Sequence, residues 1–182
     1  MNTVPPSQFR PQSESPPALQ NTVVAGAIAS VLSTMVLALA GRRQAGSAYA
    51  PTNAVSHWLW GRPALAKNAP SWRHTAVGYL IHHGSAMLWS WLYASWQRQR
   101  QDTAALPLLG TAAAVTALAS AVDFKIAPER LHPGFEHRLS TPALVAVYAA
   151  FGLGLALPYL LRGRGPQAKQ RLPVPMAYTE IR

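Results

Sequence analysis

The chain contains no cysteine, and only six of its 182 residues are acidic. The first absence excludes disulfides, thiolate zinc sites and cysteine nucleophiles. The second belongs to a general shortage of charge, since Asp, Glu, Lys and Arg together make up 12% of the residues. A soluble domain carries about twice that share. Also missing are a Gly-rich phosphate loop, a Gly-x-Ser-x-Gly elbow and a paired-carboxylate motif. The sequence therefore leans away from an enzyme, and its first expectation is that no cofactor is bound.

The charge that is present is basic: 16 Lys and Arg give a formal net charge of +10. A nucleic-acid-binding domain gathers such charge into one stripe. Here Arg42–Arg43, Arg98–Arg100 and Arg162–Arg164 flank apolar runs instead. Basic residues in that position meet anionic lipid headgroups, which argues for a bilayer and against nucleic acid as partner.

Four windows lack any charged residue: 15–41, 74–97, 103–122 and 139–161. Each holds the ~20 residues that a helix needs to cross ~30 Å of hydrocarbon. The resulting expectation is an all-α integral membrane bundle of four transmembrane helices, at about 22–40, 74–96, 105–122 and 142–161. A Pro- and Ser-rich leader (1–21) reads as disordered, and residues 162–182 read as a flexible basic tail. The "ALA" at Ala38–Ala40 resembles a signal-peptidase site, but the preceding apolar run is too long for a typical leader. Trp89, Trp91, Tyr93, Trp96 and Tyr159 form one expected aromatic belt, and Tyr49, Trp58, Trp60 and Trp72 the other. Small residues four apart, at Gly26/Ser30, Gly110/Ala114 and Ala146/Ala150/Gly154, suit close helix approach and association between copies or with a membrane partner. Orientation is undecided by basic residues, which divide eight and eight between the two sides. The dense "QRQR" loop and Arg162 favour cytoplasmic termini.

Sidedness is firmer than orientation. With four spans, residues 41–73 and 123–139 share one face, and all six histidines belong to that half. His82 and His83 lie ~12 Å inside it, counting ~1.5 Å per residue from His74. In the first loop "PTNAVSHWLWGRP" reads as a short interfacial helix capped by Thr52 or Asn53 and ended by Gly61 and Pro63. His74, Gly78 and His82 share one helix face, Gly78 leaving an opening between the rings.

Polar groups at membrane depth are costly, and they are usually paired or functional. Three readings of His57, His82, His83, Asp123, Glu136 and His137 stay open. The structural one has the rings bonded to hydroxyls or carbonyls, with Asp123, Lys125, Glu129 and Arg130 in interfacial ion pairs. A second makes the six residues a transition-metal site, with imidazole and carboxylate ligands. A third makes them a proton-handling or quinone site. Haem is disfavoured, because only one helix carries core histidines.

The stretches "PTNAVSHWLWG", "HTAVGYLIHH" and "VDFKIAPERLHPGFEHRLS" resemble those of small uncharacterised bacterial four-helix inner-membrane proteins, over roughly residues 22 to 161. The resemblance implies a bacterial inner-membrane location and transfers no catalytic residues. The Ala- and Arg-rich composition also fits a GC-rich bacterial genome. The leading expectation is a structural, assembly or accessory component with a histidine-rich face. A metal- or proton-handling (redox) protein is the alternative, and a subunit of an oligomeric transporter the third.

Overall fold

The computed structural model describes residues 17–162, and among them every regular element is helical. In chain order these are α1 (Pro17–Gln44), α2 (Ala50–Val55), α3 (His57–Trp60), α4 (Val77–Arg100), α5 (Ala105–Ala121) and α6 (Thr141–Arg162). Single π-helical turns extend α4 backward over Trp72–Ala76 and α5 forward over Val122–Ile126. Short 3₁₀ turns at Arg62–Ala66, Glu129–Leu131 and Phe135–His137 complete the two long loops.

Three helical stretches are long and apolar enough to cross a membrane: Leu19–Gln44, Ala105–Ile126 and Thr141–Arg162. The fourth long helix, α4, lacks that hydropathy. His82, His83, Ser85, Ser90 and Ser95 dilute its apolar residues along most of its length.

The four long helices form a ring. α1 packs on α6 and α4, and α5 closes the ring against the same two. Small residues set the close α1–α6 contact, since a Cβ on Gly154 would stand 2.4 Å from the Ala29 Cα. Gly26 likewise seats Met87 and Ser90 of α4, whereas Gly110 faces open space and brings no helix close. One core layer joins Ala29, Ala86, Tyr93, Val115, Phe151 and Leu155. A second, at the loop end, joins Leu37 and Val147 to Val55, Phe135 and Leu139 from the loops. The loops thus roof the bundle.

Several expectations are corrected. α1 begins at Pro17, inside the stretch read as leader, while residues 1–16 and 163–182 lie outside the described residues. α4 runs on to Arg100 and stops where Gln101 turns left-handed, at φ 52°. The "PTNAV" segment is no interfacial helix, because α2 is buried along its whole length and caps on Tyr49 without a side-chain bond. The opening at Gly78 is filled by the Thr52 carbonyl, 2.0 Å from where a Cβ would stand. Tyr93 leaves its expected belt for the core and donates to the Leu108 carbonyl at 3.1 Å. Trp72, 90% exposed, and Trp60 mark one end of the bundle; Trp91 and Trp96 mark the other.

Candidate functional site at the loop end

Serines and histidines pair twice at this end. Ser33 donates its only hydroxyl proton to the Ala29 carbonyl at 2.7 Å, so it accepts from His82 Nε2–H at 2.9 Å. Ser56 donates to the Asn53 carbonyl at 2.7 Å and accepts from His74 Nδ1–H at 3.1 Å. The same bookkeeping fixes two further tautomers. His57 Nδ1–H donates to the Ala54 carbonyl at 2.8 Å, and His132 Nε2–H donates to the Ala127 carbonyl at 3.2 Å. His74, outside the long helices, is held below the ordinary histidine value by partial burial and then by the positive charges of Arg73 and Lys67.

Buried Asn53 organises the first loop. Its Nδ2 donates to the Lys67 and Ala69 carbonyls, both at 3.0 Å, and its Oδ1 accepts from Thr75 Oγ1 at 2.7 Å. The two loops are then fastened together. Trp58 Nε1 donates to the His132 carbonyl at 2.7 Å, and Arg138 donates to the Leu65 carbonyl and to Asn68. Gly134, at φ 87°, passes so near α2 that a Cβ would stand 2.7 Å from both the Ala54 carbonyl and His57 Nδ1.

The six candidate residues do not form one centre. His82 and Asp123 line a common cavity of about 50 Å³ together with Ser33, Ser85, Tyr148 and aromatic rings. His57 and His137 line a separate, open groove with Arg62, Glu129 and Arg130. His83 lies one residue, hence ~100°, around the helix from His82. Its ring rests on Tyr79 at 5.6 Å, and its buried Nδ1 has no hydrogen-bond partner. Glu136 sits between His132 Nδ1, at 3.9 Å, and His137 Nε2, at 3.8 Å. Among the described residues no three His, Asp or Glu side chains meet in a way that holds a metal. Asp123, expected in an ion pair, accepts instead from the Tyr148 hydroxyl at 2.5 Å.

A scan of family models finds no match to the chain, and no curated protein or solved structure matches it. The arrangement is therefore read on its own chemistry. Tyr148, Ser33 and His132 were not among the sequence candidates. For Ser33 and Tyr148 the available signal was a hydroxyl in the middle of an apolar helix, which Ser30, Thr34, Thr111 and Thr116 share, and for His132 it was only membership of the histidine-rich half.

Proposed function

We propose that the chain is a four-span integral membrane protein of the bacterial inner membrane, acting as a structural or accessory component. α4 is the fourth span in this reading, despite its polarity. It meets α1 through Ser33–His82 and, about two turns further along α4, through Ser90 Oγ donating to the Thr22 carbonyl at 2.7 Å. Buried residues from Gly78 to Gln97 keep α4 against its neighbours over ~29 Å, a length that suits a crossing with its polar side chains sheltered by protein.

The knitting of the two loops carries the accessory reading. Asn53, Trp58 and Arg138 tie residues 53–76 and 132–138 into a rigid cap, which leaves Leu59, Trp72, Ile126 and Leu131 exposed. Such a surface suits headgroups or a membrane partner better than open water. The second reading, a proton-handling site, is favoured over a metal site by the cavity that His82 and Asp123 share.

The test is protein purified from native membranes, compared with His82→Ala by elemental analysis and absorption spectroscopy, with photo-crosslinkers at Leu59 and Trp72. Metal-free, colourless protein that crosslinks to one recurrent membrane partner or to itself supports the accessory reading. Stoichiometric metal or a chromophore that disappears in His82→Ala overturns it.

A further inference from the structure

The cap carries a second concave surface, separate from the cavity at His82. It is an open groove of about 540 Å³, within the ~300–1,000 Å³ of small-ligand sites. The first loop lines it with His57, Leu59, Arg62 and Leu65, and the second with Glu129 and Arg130. Trp58 bonded to the His132 carbonyl and Arg138 bonded to the Leu65 carbonyl fasten the two walls. The groove is therefore built before any ligand arrives.

Its positive charge is uncommitted. Two neighbouring arginines are engaged already: Arg73 stacks on Trp60 at 4.5 Å, and Arg138 bonds Leu65 and Asn68. Arg62 and Arg130 have no hydrogen bond, ion pair or ring partner among the described residues. Both are exposed, and both line this groove. A planar guanidinium can give a phosphate two parallel N–H bonds, and here one comes from each loop. Glu129 is the one carboxylate among the lining residues, so with His57 and His137 neutral the groove keeps one positive charge in excess.

The rest of the wall selects what accompanies the phosphate. Glu129 accepts hydrogen bonds, and so does His57 Nε2, because Nδ1–H is spent on Ala54. Acceptors beside two phosphate binders suit a headgroup that carries hydroxyls. Leu59, 61% exposed, and Leu65 make one side apolar. A soluble phosphate ester leaves those leucines in water, whereas the acyl chains of a lipid cover them. Trp60 and Trp72, exposed at the same end of the bundle, mark headgroup depth.

We propose that this groove binds one anionic glycerophospholipid through a phosphoglycerol headgroup. The phosphate diester lies between Arg62 and Arg130, the headgroup hydroxyls donate to Glu129 and His57, and the acyl chains leave past Leu59 and Leu65. Ethanolamine and choline headgroups bring a cation of their own, which cancels the charge match. The inference rests on the membrane reading above, which sets the cap at the headgroup layer.

The experiment is native mass spectrometry of the full chain in a neutral detergent, titrated separately with phosphatidylglycerol, phosphatidylethanolamine and phosphatidylcholine. Phosphatidylglycerol should bind at least ~10-fold more tightly than the other two. Arg62→Gln and Arg130→Gln should each weaken it about 5-fold, and together about 25-fold. Arg42→Gln with Arg43→Gln removes the same charge from the exposed end of α1, outside the groove, and should leave that affinity unchanged. Equal losses in the two double variants would reduce the site to general surface charge and overturn it. Equal affinity for the three lipids overturns it too. Glycerol phosphate or inorganic phosphate that displaces the lipid at matched concentration would assign the groove to a soluble anion instead. Carbonate extraction of membranes tests the underlying reading by itself. A chain released by carbonate sinks the membrane assignment, whereas a retained chain that binds all three lipids alike sinks only the headgroup site.

Discussion

Gly78 shows how much one side chain decides at the junction of cap and bundle. Its missing Cβ is the space in which the Thr52 carbonyl rests, and a backbone oxygen has little freedom to move aside. Gly78→Ala is expected to destabilise the protein by ~1–3 kcal/mol, the usual cost of overpacking. Gly84 on the same helix faces open space, so Gly84→Ala should be neutral or stabilising by up to ~1 kcal/mol through helix propensity. Denaturant unfolding in one detergent measures both, and equal effects would refute the contact. Ser33 is a second single-residue lever. Ser33→Ala leaves His82 Nε2–H without its acceptor at a cost of ~1–3 kcal/mol, which the same unfolding series reads.

At the scale of elements, Asn53 substitutes for regular structure. The chain from Lys67 to Ser71 makes few helical bonds, and Asn53 and Thr75 supply partners for its backbone. Asn53→Leu is nearly the same size but satisfies none of these groups. It should raise amide hydrogen exchange at 67–75 by at least ~10-fold while leaving α1 and α6 protected, and uniform loosening of the whole chain would show that Asn53 acts otherwise. This element also marks where sequence reading ends. The long helices were legible because the absence of charge over some twenty residues is a strong local signal, and their ends missed by a few residues where Pro17 and Gln97–Arg100 stayed helical. α2 was misread as interfacial because its burial depends on Gly78, some 25 residues away, and no local pattern records that fit. The site was legible only as a set of expensive residues on one side. That His82 and Asp123 share a cavity while His83 turns to Tyr79 depends on register between helices, as does the choice of Tyr148 among many buried hydroxyls.

The whole molecule raises the question of which parts lie on which side of a membrane, and α4 decides it. Three membrane-length apolar helices alone would put the two ends of the described chain on opposite faces. A crossing by α4 puts both on the same face, with the cap opposite them, and costs the burial of His82, Ser85 and Ser90 among α1, α5 and α6. The hydrogen bonds of His82 and Ser90 to α1 offset that cost, and a helix lying flat at the interface would have to give them up. Because the chain has no cysteine, single cysteines report sidedness without a background to remove. Lys67→Cys and Glu129→Cys sit on exposed loop positions of the cap, and Thr103→Cys on the short turn between α4 and α5. In sealed vesicles of one orientation, a membrane-impermeant maleimide should label Lys67→Cys and Glu129→Cys together, and Thr103→Cys only after the vesicles are opened, or the reverse. Labelling of all three from one side would mean that α4 does not cross.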